Sequence, residues 1–68
     1  MPAAWETWED ISKVLYALRS FDLALVAQEM AKACHIADRR MSPKAVERNV
    51  EAHDSFIAEI KRASATKL

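Results

Sequence analysis

The last third of the chain carries apolar residues at the spacing of an amphipathic helix. From residue 44 onward they recur at intervals of four, seven and three positions, and a histidine occupies the position that the longest interval skips. A period of about 3.6 residues places all of these side chains on one helix face. The pattern predicts a helix at about 43–64, with a buried face formed by Val46, Val50, His53, Ile57 and Ile60.

Ser42 and Pro43 mark the predicted start of this helix. A serine side chain can accept a hydrogen bond from a backbone N–H of the first turn, and proline suits the first helical position because that N–H needs no partner. Proline also disfavours the α conformation in the residue before it, so a preceding helix should end near Met41. We predict a turn at about 41–43 and a frayed tail at 65–68.

The first forty residues also have a helical pattern, but their apolar residues form two stripes. The first stripe comprises Trp8, Ile11, Val14, Leu15, Leu18, Phe21 and Leu25. The second comprises Leu23, Val26, Met30, Ala33, Cys34, Ala37 and Met41. Projected at about 100° per residue, the second stripe is rotated by roughly 100° from the first. A single helix would therefore present two differently oriented apolar faces.

Two architectures explain this offset. The favoured one is a continuous helix over about 3–41, since no Gly or Pro interrupts the segment 19–22. It would pair with the second helix in an all-α antiparallel helical hairpin, a single domain over 1–68. The alternative is a break near residues 19–22, where Ser20 or Asp22 could cap a new helix and give a monomeric three-helix bundle.

The hairpin architecture predicts a homodimer. The shorter second helix ends opposite about residue 19, so the apolar residues before that point have no partner within the chain. An apolar surface of that size indicates an interface, and a second copy in two-fold symmetry is the simplest partner. We expect a dimeric four-helix bundle with an interface formed by Trp5, Trp8, Ile11, Val14, Leu15 and Leu18.

Composition agrees with a small helical protein that has no catalytic role. The 68 residues include no glycine and one cysteine, and their ten basic and ten acidic residues cancel. Cys34, His35 and Asp38 are neighbours on a helix, but they do not complete a metal site, and adjacent helical residues diverge too far for a Cys–His catalytic pair. We expect no enzyme activity, no metal and no cofactor. His53 is predicted to be a core histidine. The alternative is that it lies in an interface whose stability depends on pH.

The predicted turn is basic and offers a partner-binding surface. Its residues could contact an acidic protein surface, with an aromatic side chain as a further anchor. The predicted partner-binding residues are Tyr16, Arg39, Arg40, Lys44 and Arg48. We therefore expect a cytoplasmic protein with no membrane segment. It would act as a protein-binding regulator, adaptor or inhibitor that occludes a larger regulatory protein, as bacterial or phage modulators do.

The alternative function is DNA binding. Residues 36–48 have the sequence Ile-Ala-Asp-Arg-Arg-Met-Ser-Pro-Lys-Ala-Val-Glu-Arg. This string resembles the turn and recognition helix of LuxR-type DNA-binding domains, in which a similar "Ile-Ala … Ser-Pro-Lys-Thr-Val" string occurs. The resemblance covers about a dozen residues and implies a helix-turn-helix transcriptional regulator. It departs from the family by one residue in the spacing before Ser42, and the chain has no net positive charge to attract phosphates.

Overall fold

A computed structural model describes residues 3–66 and contains three helices in that range. They are α1 (Ala4–Ala17), α2 (Phe21–Ile36) and α3 (Pro43–Ala65), and residues 3–66 contain no strand. The prediction of an all-α fold is confirmed. The prediction of one continuous helix over 3–41 is wrong, because that segment consists of two helices separated by a turn. The alternative architecture, with a break near residues 19–22, describes the helices better.

The break arises from a Schellman motif at the end of α1. Arg19 adopts the left-handed conformation at φ 64°. Its N–H donates to the carbonyl of Tyr16 over 3.0 Å, and the N–H of Ser20 donates to the carbonyl of Leu15 over 2.9 Å. These two bonds occupy carbonyls that the end of α1 would leave unpaired. The backbone thereby reverses direction without the glycine that usually marks this turn.

Arg19 provides a direct test of this turn. An L-residue in the left-handed region costs about 1 kcal/mol relative to glycine. The Arg19 guanidinium also lies 5.6 Å from the centre of the Phe21 ring, a contact that both substitutions at this position remove. We expect Arg19→Gly to be more stable than Arg19→Ala by about 1 kcal/mol in urea unfolding. Equal stabilities would contradict the left-handed conformation at this position.

Helix α2 lies between α1 and α3 in a flattened molecule of 41 × 23 × 13 Å. Helices α1 and α2 form an antiparallel hairpin, in which the Ser12 hydroxyl donates to the carbonyl of Ala24 over 2.8 Å. At the other end of α2, the chain turns at residues 37–42 and α3 begins at Pro43. Ser42 caps α3 by accepting a hydrogen bond from the N–H of Ala45 over 3.2 Å.

The core joins the turn end of the hairpin to the C-terminal half of α3. Phe21, Ala24 and Ile60 form a buried cluster. Half-buried side chains surround it, namely Leu15, Tyr16, Leu25, Phe56 and Ala63. In α2 the buried apolar residues other than Phe21 are alanines, which let its backbone approach both neighbouring helices. No helix within residues 3–66 is long and apolar enough to cross a membrane.

Candidate functional site

Seven large apolar side chains are exposed on the α1–α2 hairpin; Ile36 at the end of α2 stands apart, and the other six form one surface. Their exposed fractions range from 40% for Ile11 to 69% for Leu18. On each helix the three residues follow the spacing i, i+3, i+7, which aligns them along one side of that helix. We call this surface the hairpin face; it consists of Ile11 and Val14 of α1, Leu18 at the C-cap of α1, and Leu23, Val26 and Met30 of α2.

Both halves of the hairpin face point to the same side of the molecule. The two helices are in contact at Ser12 and Ala24, and each apolar triplet begins one residue before its contact residue. Each triplet is rotated by about 100° to 160° from the contact, in the same sense about its own N-to-C axis. Because the two axes run in opposite directions, these rotations bring both triplets to the same side. Helix α3 packs on the other side, where Lys32 of α2 contacts Asp54. The hairpin face is therefore one continuous surface pointing away from α3.

The hairpin face carries no charge. In the helical projection, none of the charged residues of Ala4–Ala17 or Phe21–Ile36 falls among the six apolar ones. The charged side chains of these helices are Glu6, Glu9, Asp10, Lys13, Asp22, Glu29 and Lys32. The exposed area of the six apolar side chains is roughly 600 Å², the upper end of the largest apolar patch on a typical monomer. An apolar patch of this size on a monomer is often functional.

The structure separates the predicted dimer interface into two groups. Trp5 and Leu15 have partners within the chain, which corrects the prediction that they lack one: Trp5 stacks on His35, and Leu15 packs against the core. Trp8 is half-buried. The exposed group comprises Ile11, Val14 and Leu18, to which α2 adds Leu23, Val26 and Met30. The hairpin architecture pairs the residues after about position 19 with the last helix, so the place of these three α2 residues on the hairpin face was missed.

A buried polar network lies on the opposite side of α2. His35 and His53 are 1% and 3% exposed, and Nδ1 of His35 lies 2.9 Å from Nε2 of His53. The amide of Gln28 contacts Nδ1 of His53, while Nδ2 of Asn49 lies 3.0 Å from Nε2 of His35. The sulfur of Met41 lies 2.9 Å from the same His35 nitrogen. The prediction that His53 is a core residue is confirmed, but its hydrogen-bond partners were not predicted.

The histidine pair connects all three helices. The Trp5 ring of α1 stacks on His35 of α2 at 3.9 Å between ring centres, with planes 15° apart. His53 of α3 meets the same tryptophan edge-on at 6.3 Å. Aromatic pairs of this kind stabilise by about 0.5–1.5 kcal/mol beyond their buried area. The N-terminal turn of α1 is thus held to α3 through two imidazoles.

The hydrogen bond between the two histidines limits how many protons the network can hold. Each neutral imidazole carries one N–H, and the bond between His35 and His53 needs one donor and one acceptor. The chain of bonds is complete when Asn49 donates to His35, His35 donates to His53, and His53 donates to the Gln28 oxygen. Gln28 Oε1 is buried without a partner when the amide nitrogen faces His53. Turning the amide over brings this oxygen to the N–H of His53, so that both the oxygen and the N–H are satisfied. A second added proton would place two N–H groups against each other.

Burial lowers the pKa of His53 below its ordinary value. Removal from water disfavours the charged ring and is the largest cause. Glu9 of α1 and Asp54 of α3 oppose the lowering of this pKa, while His35 and Lys32 of α2 add to it. His53 is therefore held neutral near pH 7 by its surroundings.

The predicted partner-binding residues do not form one surface. Tyr16 packs against Phe21 and Phe56, with ring centres 5.6 and 5.3 Å away, so its ring belongs to the core. Arg40 binds both carboxylate oxygens of Asp38, at 3.0 and 3.1 Å. This ion pair lowers the pKa of Asp38, mainly through the side-chain hydrogen bond, and raises that of Arg40. Arg39 is exposed.

The start of α3 has a mixed charge. Lys44 and Arg48 share a shallow surface with Glu47 and Glu51, so their positive charges are balanced by two carboxylates. Within residues 3–66, no three His, Cys, Asp or Glu side chains lie where they could share a metal ion.

Comparisons of the chain with protein-family models, curated proteins and solved structures found no match.

Proposed function

We propose that this chain is a non-catalytic protein-binding module that engages its partner through the hairpin face. The observation that carries this proposal is the continuous, uncharged apolar surface of Ile11, Val14 and Leu18 beside Leu23, Val26 and Met30. Leaving such a surface in water is unfavourable, and protein contacts are the usual way to cover it. The expected roles of regulator, adaptor and inhibitor all require binding and no catalytic residue.

The basic turn supports this function less well than the hairpin face does. Arg40 already pairs with Asp38, and Lys44 and Arg48 lie beside two glutamates. The same balance of charges weakens the DNA-binding alternative, since affinity for duplex DNA depends on cations that neutralise phosphates. We therefore place partner binding on α1 and α2, away from the segment 36–48.

Site-specific photo-cross-linking in the source cell tests this function. A photo-reactive amino acid replaces Val14 or Val26 on the hairpin face, or Glu51 or Glu59 on the exposed side of α3 as a matched control. We expect protein adducts from positions 14 and 26 and none from positions 51 and 59. Adducts formed solely from α3, or no adducts from the hairpin face, would contradict the proposed function.

A further inference from the structure

We propose that the hairpin face is occupied by a second copy of the same chain. This inference rests on the proposed function and names its partner. The two copies meet through their α1 and α2 helices in two-fold symmetry, and each α3 lies on the outside. The four central helices then form a bundle, which revises the predicted dimer by exchanging Trp5 and Leu15 for Leu23, Val26 and Met30.

The charge distribution favours a second copy. In a two-fold contact the same surface appears on both sides, so any charge at its centre faces a like charge unless an opposite one lies nearby. The hairpin face avoids this repulsion at its centre, because no charged residue of α1 or α2 projects among its six apolar residues. Asp10 and Asp22 flank it, about 40° from Val14 and Val26 in the helical projection. A surface built for a charged partner would instead carry complementary charges among its contacting residues.

The area of the hairpin face suits a dimer of modest size. Its six apolar side chains expose roughly 600 Å², and a stable interface buries about 800 Å² on each partner once neighbouring groups are included. The surroundings of these side chains, including the half-buried Trp8 and Cys34, extend the same side of the hairpin. Face-to-face contact would thus cover the exposed apolar surface of both hairpins.

The thin core of the single chain gives a further reason for pairing. Among residues 3–66 the fully buried apolar side chains are Phe21, Ile60 and three alanines, which is little apolar burial for a chain of this length. Small folds commonly need an additional source of stability, such as self-association. In the proposed dimer, the large apolar side chains that α2 leaves exposed would be buried in a second core between the two chains.

Two charged substitutions test the dimer without disturbing the monomer. Val14 and Val26 are 58% and 57% exposed, so lysines at both positions leave the packing of the single chain intact. We expect the wild-type protein to show twice the chain mass in sedimentation equilibrium at micromolar concentration. The double variant Val14→Lys, Val26→Lys should raise the dissociation constant at least about 100-fold, because unpaired charges would be buried. Its circular dichroism spectrum should be that of a helical protein.

Ile36 supplies the matched control for these substitutions. It is 55% exposed, but it projects on the side of α2 away from the hairpin face. Ile36→Lys should therefore leave the dimer mass unchanged. Loss of the dimer in this variant would show that association does not depend on the hairpin face and would overturn the inference.

Opposite charges at the same positions test whether the hairpin face of one chain contacts the hairpin face of another. A chain with glutamates at positions 14 and 26 should also be monomeric, and mixing it with the lysine variant should restore a dimer containing one chain of each kind. Failure of the mixture to associate would contradict a contact between like faces. If the purified wild-type chain remains monomeric while positions 14 and 26 cross-link to a different protein, the proposed function stands and the second-copy inference is wrong.

Discussion

Acidification from about pH 7.5 to about pH 5.5 is expected to destabilise the fold. Burial lowers the pKa of His53 in the folded chain, whereas the unfolded chain titrates near 6.5. Between these two values the unfolded state binds more protons, so the free energy of unfolding falls as the pH falls. The stabilising contribution is complete above about pH 6.5, and it is lost at a limiting rate of about 1.4 kcal/mol per pH unit for each such proton.

Urea unfolding followed by circular dichroism at several pH values measures this effect. His53→Leu is the control, since it removes the proton site and should flatten the profile over this pH range. It should also cost about 2 kcal/mol near pH 7.5, because Gln28 and His35 lose their buried hydrogen-bond partner. A wild-type stability that does not change between pH 7.5 and pH 5.5 would contradict a neutral, buried His53.

Ile60→Ala is expected to destabilise the chain by about 3 kcal/mol. Ile60 is 1% exposed and packs with Phe21 and Ala24, so its truncation removes apolar contacts and leaves a cavity in a small core. A domain of this length has a total stability of about 3–10 kcal/mol, and the loss is a large share of it. Thermal and urea denaturation at a fixed protein concentration measure the change.

The same substitution at an exposed isoleucine is the matched control. Ile36 is 55% exposed at the end of α2, and Ile36→Ala should change the stability by less than about 0.5 kcal/mol. If the two alanine variants were equally stable, Ile60 would not lie at the centre of the core.

The sequence predicted the third helix and its cap from local signals. Ser42 and Pro43 act on the backbone within one turn, so their effect can be deduced without tertiary contacts. The break between α1 and α2 was recognised as an alternative but not favoured, because the left-handed residue is Arg19 rather than glycine. A Schellman motif is defined by backbone hydrogen bonds, and tertiary packing can maintain it with an unfavourable residue.

The buried face of α2 was predicted wrongly for a different reason. The second apolar stripe includes Leu23, Val26 and Met30, in the part of the first helix that the hairpin architecture pairs with the second helix, yet these residues are exposed. Where a helix approaches two neighbours at once, the space between the backbones admits alanine more readily than leucine. The buried face consists of Phe21, Ala24, Ala27, Gln28, Ala31 and His35.

The candidate site could be predicted only in part. His53 stood out because it interrupts an apolar stripe, but its partner His35 lies 18 positions earlier and has no comparable local signal. On the α1 side, Ile11, Val14 and Leu18 were predicted as interface residues and are exposed. The contribution of α2 to the hairpin face depends on how the two helices are rotated about their axes, which the apolar periodicity of a single chain does not determine.

The order of the helices also bears on how quickly the chain can fold. Each helix packs mainly on the next one along the sequence, with α2 in contact with both α1 and α3. The loops to be closed are short, so the entropy lost before favourable contacts form is small. Helical domains with such local contacts reach the native state within microseconds to milliseconds. A newly synthesised chain would therefore complete its hairpin as soon as α2 is available, and α3 would add to an existing surface.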